Sequence, residues 1–317
     1  MTDIRSDRMR ILFMGTPDFA LVSLKALCEA GHNIVTVITQ PDKPKGRGHH
    51  LTPPPVKVYA QDKNIPVLQP LTLRGEEFAA TLSDIDPELI VVVAYGRILP
   101  KSVLDYPKYG CVNVHGSLLP EYRGAAPMQR AIIDGKTVTG ITTMLMAEGL
   151  DTGDMLLKAE AKIEENDNFE VIHDRLAELG ASLLLETVRG LENGSITPTP
   201  QGEGETYAAK IEKSDCIIDF SRPVSEIHNL IRGLSPMPLA FTHTPDGKLL
   251  KITESRIFSR EKSDAPCGTV ISTDGEIRVA CGGGVISILG VVPEGKGKMR
   301  ASDFINGRKI SVGDILS

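Results

Sequence analysis

The chain has 317 residues and a formal net charge of −6, with 41% hydrophobic and 24% charged side chains. This length predicts two domains, and the acidic balance excludes a protein that coats nucleic acid over its whole surface, although it leaves room for one local basic surface. No segment approaches the roughly 20 apolar residues of a membrane helix, and the polar N-terminus lacks the apolar core of a signal peptide, so we expect a cytoplasmic protein without a membrane segment.

Buried strands alternate with amphipathic helices in the first half of the chain. A first strand is predicted at Arg10–Gly15 and a helix at Phe19–Ala30, which Gly31 terminates. Further strands are predicted at five apolar runs: Ile34–Thr39, Ile65–Leu68, Leu89–Tyr95, Cys111–His115 and Gly140–Met146. This alternation predicts an α/β fold with a Rossmann-like, doubly wound and mostly parallel sheet.

A segment rich in Gly, Pro, Ser and Thr follows this alternation and is predicted to be a linker over residues 194–208. Beyond it, the sequence predicts a helix at Val224–Arg232 and short strands broken by glycine turns. That pattern is typical of a small β-barrel or sandwich. We therefore expect one domain at residues 1–193 and a second at residues 209–317.

The side chains that commonly bind metals are dispersed along the chain. The five cysteines are far apart and form no CxxC pair, so neither a zinc site nor a disulfide framework is predicted. No other set of residues has metal-ligand spacing, and we expect no metal in the functional site.

Asn113 and His115 are the first candidate functional residues. They are two positions apart on a predicted strand, so their side chains project from the same face. They lie at the carboxyl end of that strand, where open α/β sheets place their sites. An amide donor beside an imidazole suits the stabilisation of an oxyanion in acyl transfer. Without further motifs, two hydrogen-bonded polar residues at a strand end would be the more common interpretation.

A carboxylate that could assist this pair follows the next apolar strand, in the sequence EGLDTGDM. Asp151 in this segment could hold the imidazole and accept a proton from an amine. An aspartate that only stabilises a turn is the common alternative. Asp154 is a second candidate, and spacing alone does not choose between the two.

Five motifs occur in order along the chain: GTPDFA from Gly15, QPDKPKGRG from Gln40, VVVAYGRILP from Val91, VNVHGSLLPEYRGAAP from Val112 and GLDTGDML from Gly149. Together they resemble the methionyl-tRNA formyltransferase family, a branch of the 10-formyltetrahydrofolate-dependent formyltransferases. The resemblance implies transfer of the formyl group of 10-formyltetrahydrofolate to the free α-amino group of methionyl initiator tRNA, which gives N-formylmethionyl-tRNA for translation initiation.

The resemblance also assigns the catalytic roles. It places them on Asn113, His115 and Asp151, and so favours Asp151 over Asp154. It implies direct transfer, in which Asn113 and protonated His115 stabilise the oxyanion while Asp151 supports His115 and relays the proton of the amine. It implies folate binding at nine residues: Val93, Ala94, Tyr95, Gly96, Ile98, Ser117, Leu118, Leu119 and Pro120.

Two basic segments are candidate RNA contacts. The first, Gln40–Lys57, contains four cations against Asp42 alone, namely Lys43, Lys45, Arg47 and Lys57, and glycines on both sides of Arg47 predict a mobile loop. Charge alone favours an ordinary solvated loop here, but the resemblance implies contact with the tRNA acceptor stem, with Arg47 as the best candidate. The second segment belongs to the second domain, for which the resemblance implies an OB-like fold, and contains three cations: Lys296, Lys298 and Arg300.

Three functions compete at this point. The first is formylation of methionyl initiator tRNA by a monomeric enzyme. The second is formylation of a small amine, which the basic loop and the second domain disfavour. The third is a non-catalytic RNA-binding or nucleotide-sensing protein, which leaves the set of Asn113, His115 and Asp151 unexplained.

Overall fold

A seven-stranded sheet forms the centre of the first compact unit of the computed structural model, which describes residues 8–45 and 50–317. Eleven strands precede residue 209: β1 (Arg10–Gly15), β2 (Asn33–Ile38), β3 (Lys43–Lys45), β4 (His50–Thr52), β5 (Val67–Leu68), β6 (Leu89–Val93), β7 (Cys111–His115), β8 (Arg123–Gly124), β9 (Val138–Leu145), β10 (Met155–Lys162) and β11 (Tyr207–Ala208). Six helices accompany them: α1 (Asp18–Glu29), α2 (Pro55–Asp62), α3 (Glu76–Ile85), α4 (Lys101–Leu104), α5 (Pro127–Ile133) and α6 (Phe169–Glu192).

The sheet has the strand order β10-β9-β7-β6-β1-β2-β5. The strands from β7 to β5 pair in parallel, whereas β9 runs antiparallel to β7. The prediction of a mostly parallel α/β sheet is therefore confirmed.

The central strands are buried on both faces, as their composition requires. All five residues of β6, Leu-Ile-Val-Val-Val, are buried between β1 and β7. Helix α6 covers β7 and β9 closely, because a Cβ added at Gly180 would lie 3.0 Å from the Val114 side chain. Thr143 on β9 also hydrogen-bonds to Thr187 on α6, at 2.8 Å. These contacts fix β7, the strand with the first two candidate residues.

Several elements differ from the sequence-based prediction. The strand predicted at Ile65–Leu68 is reduced to β5. Five strands before residue 209 in the described ranges were not predicted, namely β3, β4, β8, β10 and β11, and the bounds of α2 to α6 were not predicted either. Strands β3 and β4 pair as an antiparallel hairpin, and their charged and proline residues hide the usual strand pattern. Strand β10 lies at the edge of the sheet, where its alternating polar residues resemble a loop sequence.

The second compact unit comprises Ala125–Thr139, Lys162–Ile172 and Ala208–Ser317. Its remaining elements are a 3-10 helix (Lys213–Cys216), α7 (Val224–Gly233), β12 (Ala240–His243), β13 (Leu249–Ser259), β14 (Val270–Ser272), β15 (Ile277–Cys281), β16 (Gly284–Pro293), β17 (Met299–Arg300) and α8 (Ala301–Asn306). The strands form one antiparallel sheet, as expected for a small β domain. Helix α7 packs its apolar face, including Ile227 and Ile231, into the core of this sheet.

Within the described ranges, no helix is both long enough and apolar enough to cross a bilayer. All five cysteines are free thiols.

A buried histidine in the second unit is held in one neutral form. His228 Nε2 lies 3.0 Å from the Glu165 carbonyl, which can only accept, so Nε2 bears the hydrogen. Nδ1 then accepts from the Ser255 hydroxyl at 3.0 Å. Burial lowers the pKa of His228, and the positive charges of Arg232 and Arg260 lower it further, against the opposing effect of Glu165.

This histidine should make folding stability depend on pH. Because the folded pKa lies below the unfolded value of about 6.5, the unfolded chain takes up the proton first. The contribution to stability is present above that value and is lost as pH falls through the folded pKa. We expect the free energy of unfolding, measured with denaturant, to decrease from about pH 7 to about pH 5. His228→Gln should flatten this slope, whereas Ser255→Ala should lower stability but keep the slope; an unchanged slope in His228→Gln would contradict the assignment.

Candidate functional site

Strand β7 presents Asn113 and His115 on one face at the carboxyl end of the parallel part of the sheet. Parallel pairing with β6 runs to Asn113, and antiparallel pairing with β9 joins His115 to Thr142. Val114 points to the opposite face and is buried. The two-residue spacing predicted for this pair therefore holds in the structure, and the rigid sheet fixes both Cα positions.

The ring of His115 is oriented by a main-chain oxygen. His115 Nε2 lies 2.9 Å from the Tyr122 carbonyl, which can only accept a hydrogen bond, so Nε2 bears the hydrogen. The other ring nitrogen, Nδ1, lies 3.7 Å from Asp151 Oδ2. The ring is 5% exposed. The ring nitrogen that faces a carboxylate is therefore Nδ1.

Asp151 is held in this position by the backbone. Its Oδ2 accepts a hydrogen bond of 2.8 Å from the Gly124 amide. Its own backbone has φ of 51°, a left-handed conformation that is uncommon for residues other than glycine. Such a residue persists only where surrounding contacts hold it, and these residues cluster at functional sites. Of the two candidate carboxylates, the structure places Asp151, rather than Asp154, beside His115.

The amide of Asn113 is available to a ligand. Its side chain is half-buried, and within the part of the chain that the structure describes it forms no hydrogen bond to another residue. Buried polar side-chain groups normally hydrogen-bond to the protein or to ordered water. An amide on the same face as His115 with no such partner is suited to bind an oxygen atom of a substrate.

The thiol nearest to this pair is not a nucleophile. Burial raises the pKa of Cys111 to about 12. Its Sγ also lies within 3.9 Å of two main-chain carbonyls. Because only the thiolate is reactive, Cys111 acts as a buried apolar residue at neutral pH.

The nine residues expected to bind folate are divided between core and surface. Four are buried: Val93, Tyr95, Ser117 and Leu119. The other five present surface: Ala94, Gly96, Ile98, Leu118 and Pro120. At the carboxyl end of β6, Gly96 has φ of 83° and open space where a Cβ would lie, and Ile98 is 82% exposed.

The buried members of the Ser117–Pro120 segment shape this turn. Thr142 donates to the Ser117 carbonyl at 2.8 Å and accepts from the Leu119 amide at 3.0 Å. The Ser117 hydroxyl donates to the Glu121 carbonyl at 2.6 Å, and the Lys158 ammonium donates to the Leu119 carbonyl. These polar groups of Ser117 and Leu119 are therefore satisfied within the protein, and the half-buried Leu118 and Pro120 offer apolar surface.

Two of the three candidate RNA-binding residues in the first basic segment lie on strand β3. Lys43 is exposed on β3, the backbone of Lys45 continues that strand, and Arg47 with its flanking glycines lies outside the described residues. At the base of the hairpin, Lys57 forms an ion pair of 2.8 Å with Asp42. Lys57, which adds to the positive charge of this segment in the sequence, is thus neutralised.

The three candidate cations of the second unit lie close together in sequence, Lys296 and Lys298 on the turn between β16 and β17 and Arg300 at the end of β17. Lys296, Lys298 and Arg300 are all exposed. Among the described residues, none of the three forms an ion pair. A compact group of uncompensated cations on one hairpin is a suitable surface for phosphate groups.

Sequence patterns did not identify the groups that orient the candidate catalytic side chains. These groups are the Tyr122 carbonyl, the Gly124 amide, and the side chains of Arg123 and Gln201. Gln201 lies in the predicted linker, about fifty residues from its partner Asp151, so no local spacing indicates it. Within the described ranges, no group of three or more His, Cys, Asp or Glu residues is arranged to hold a metal ion.

Family models match most of the chain. The Formyl transferase model matches residues 9–188, and the model of the Formyl transferase C-terminal domain matches residues 210–309. The chain is 49% identical over 311 residues to the methionyl-tRNA formyltransferase of Citrifermentans bemidjiense, with 97% of this chain and 96% of the relative covered. It is 48% identical to that of Caldanaerobacter subterraneus subsp. tengcongensis, with 97% and 100% covered.

Two solved structures have the same fold at low sequence identity. The N-formyltransferase from Helicobacter canadensis, in complex with folinic acid and dTDP-3-aminofucose, superposes with a TM-score of 0.67 at 19% identity, covering 88% of this chain and 98% of that chain. HypX from Aquifex aeolicus, in complex with tetrahydrofolic acid, superposes with a TM-score of 0.65 at 17% identity. That match covers 96% of this chain, which spans about half of HypX, at 48%.

Proposed function

Since this chain belongs to the formyl transferase family, we propose that it transfers the formyl group of 10-formyltetrahydrofolate to the α-amino group of methionyl initiator tRNA. The observation that supports this most strongly is the arrangement of Asn113, His115 and Asp151 at the carboxyl end of the parallel strands. An amide without a partner, an imidazole and a carboxylate are the groups that acyl transfer to an amine requires.

The chemistry begins with attack of the amine on the formyl carbon. As the new C–N bond forms, negative charge develops on the formyl oxygen. The Asn113 amide and the protonated His115 ring donate hydrogen bonds to this oxygen. Preorganised donors in a largely buried site stabilise such charge more strongly than water does, because they need not reorient during the reaction.

The attacking amine must then lose a proton. The Asp151 carboxylate, whose Oδ2 lies 3.7 Å from His115 Nδ1, can accept it while His115 remains the donor to the oxyanion. The hydrogen bond from His115 Nε2 to the Tyr122 carbonyl keeps the ring oriented so that Nδ1, and not Nε2, faces Asp151 and the substrate. Cleavage of the bond between the formyl carbon and the folate nitrogen completes the transfer; that nitrogen takes up the proton lost by the amine and leaves as the secondary amine of tetrahydrofolate, with no covalent intermediate on the protein.

The residues at the end of β6 suit the formyl donor. Its pterin requires an apolar surface with backbone hydrogen-bonding groups, and its formyl group must reach Asn113 on the neighbouring strand. Ala94, Gly96 and Ile98 provide exposed surface at that end of β6, and Leu118 and Pro120 provide apolar surface in the turn after β7. We propose that the donor binds across the carboxyl ends of β6 and β7.

We further propose that two domains joined by a linker carry out the two parts of this function. Residues 1–193 form the catalytic, folate-binding domain, residues 194–208 the linker, and residues 209–317 an OB-like domain that binds tRNA. The protein acts as a cytoplasmic monomer. Arg47, Lys43 and Lys45 contact the acceptor stem, and the group on the β16–β17 turn contacts phosphates elsewhere on the tRNA.

The test is transfer of a labelled formyl group from 10-formyltetrahydrofolate to charged initiator tRNA, uncharged tRNA and free small amines, including an amino sugar nucleotide. We expect label on charged initiator tRNA alone. Label on a small amine but not on tRNA would identify a small-molecule formyltransferase. Binding of tRNA without any labelled product would identify a non-catalytic RNA-binding protein.

Neutralising the turn between β16 and β17 should weaken tRNA binding without affecting the chemistry. We expect the triple variant Lys296→Ala, Lys298→Ala and Arg300→Ala to raise KM for methionyl-tRNA about tenfold at unchanged kcat. The salt dependence of KM should become less steep by about one unit of slope per lost phosphate contact. Lys262→Ala, which removes an exposed cation from another turn, is the control. A triple variant with unchanged KM and salt slope would exclude this turn from the tRNA interface.

A further inference from the structure

One side chain outside the catalytic set joins two segments of the site. Gln201 Nε2 donates hydrogen bonds to the carbonyls of Asp151, at 2.7 Å, and Gly153, at 2.8 Å. Its Oε1 accepts two more from Arg123, at 3.0 Å from Nε and 2.7 Å from Nη2. Both donors and both acceptor positions of the amide are therefore used.

These four hydrogen bonds lie around the contact that holds the catalytic carboxylate. Arg123 directly precedes Gly124, whose amide donates to Asp151 Oδ2. Gln201 holds Arg123 on one side of this contact and the main chain of Asp151 on the other. A left-handed backbone is uncommon for a residue other than glycine and persists where surrounding contacts restrain it, so the φ of 51° at Asp151 depends on such a restraint. Gln201 provides that restraint.

Arg123 makes the arrangement costly to disturb. It is 9% exposed, and no carboxylate of the described residues lies within 4.0 Å of its guanidinium. A buried charge is tolerated only where hydrogen bonds replace its hydration. The Gln201 carbonyl provides two of these, so the position of the arginine depends on the glutamine.

The main chain around Gln201 is fixed as well. Thr199 and Met155 exchange two backbone hydrogen bonds of 2.8 Å. Further along, Thr206 accepts from the amide of Tyr122 through its hydroxyl and from the amide of Arg123 through its carbonyl, both at 2.8 Å. The segment between residues 199 and 206 thus runs along the catalytic turns, and Gln201 is placed by its neighbours on both sides.

We propose that Gln201 is a positioning residue for formyl transfer, which keeps the Asp151 carboxylate against the Gly124 amide and facing His115. This inference rests on the proposed function. It assigns a part in the reaction to a segment that neither family-matched region includes, because those regions end at residue 188 and begin again at residue 210.

Gln201→Ala is expected to lower kcat about 10- to 100-fold, because a displacement of a reacting group by about 1 Å has an effect of this size. KM for both substrates should stay within about twofold, since Gln201 makes no contact with the proposed binding surfaces. Glu203→Ala, an exposed change two residues away, should leave kcat unchanged. If Gln201→Ala keeps wild-type kcat, or raises KM alone, the proposal is wrong.

Two further variants separate positioning from general support of the fold. In an Asp151→Asn background, Gln201→Ala should change kcat by less than about twofold, because the group that it positions is already absent. An equal loss in both backgrounds would mean that Gln201 acts independently of Asp151. Gln201→Glu retains the acceptors for Arg123 but loses both donors to the turn, so its kcat should fall as well. Wild-type kcat in Gln201→Glu would overturn the proposal.

Hydrogen exchange of the backbone provides a measurement that does not depend on the substrate. Amides at residues 150–154 should exchange faster in Gln201→Ala than in the wild type, and unchanged exchange would also overturn the proposal. Failure of the wild-type protein to formylate methionyl-tRNA would refute the proposed function instead. The two failures are therefore distinguishable.

Discussion

Alanine at Asn113, His115 or Asp151 is expected to lower kcat for formyl transfer by about a hundredfold or more, because each variant loses a group that stabilises charge or moves a proton in the transition state. The effects on folding should differ. Asn113 has no hydrogen bond to other described residues, so Asn113→Ala should unfold at the wild-type denaturant concentration. His115→Ala loses the hydrogen bond to the Tyr122 carbonyl and should be slightly less stable.

Asp154→Asn is the matched control for this series. Asp154 is the neighbouring carboxylate of the same turn, and its side chain has no contact with His115 in the structure. Single-turnover measurements on Asp151→Asn and Asp154→Asn under identical conditions would show which carboxylate takes part. Near-normal turnover in any of the three alanine variants would remove that residue from the mechanism. A loss in Asp154→Asn equal to that in Asp151→Asn would contradict the assignment of Asp151.

Gly153→Ala should lower activity as much as the alanine variants of Asn113, His115 and Asp151 do, although it changes none of these three side chains. A Cβ at Gly153 would lie 1.7 Å from the Leu145 carbonyl oxygen and 2.8 Å from its carbon. These are main-chain atoms at the end of β9, so they cannot move aside as a side chain does. The turn that contains Asp151 must shift instead, and we expect kcat to fall about a hundredfold or more.

Gly202→Ala provides the comparison for this variant. A Cβ at Gly202 meets no atom within 4 Å, and this glycine also lies close in sequence to a residue that contacts the turn. It should retain wild-type kcat and wild-type melting temperature. Gly153→Ala should lower both quantities, as measured by initial rates and thermal unfolding. Wild-type kcat in Gly153→Ala would mean that the turn can move without affecting Asp151.

The strands that place the catalytic pair could be predicted because their signals are local. The apolar run of β6 and the alternation in β7 are each contained within five residues, and both strands appear where their composition predicts them. The two-residue spacing of Asn113 and His115 also determines their common face without any tertiary information. The Asp151 assignment needed the family resemblance, since Asp154 fits the same turn.

What could not be predicted depends on contacts between distant segments. Gln201 and Asp151 are joined only in the folded chain, and a glutamine in a polar linker has no distinguishing pattern. The neutralisation of Lys57 by its ion pair with Asp42 is another example, because its partners Asp42 and Gln69 are 15 and 12 residues away. Counting charges along the sequence therefore overestimates the cations that RNA can reach.

The two main-chain groups beside His115 and Asp151 have a consequence for how the proposed site tolerates mutation. The acceptor for His115 is the carbonyl of residue 122, and the donor to Asp151 is the amide of residue 124. Every amino acid supplies that carbonyl, and every amino acid except proline supplies that amide. Substitutions at position 122 that its left-handed backbone tolerates, and that fill the space of the buried Tyr122 side chain, should therefore leave the orientation of the imidazole unchanged. Such substitutions can accumulate at this position without loss of the hydrogen bond that orients the His115 ring.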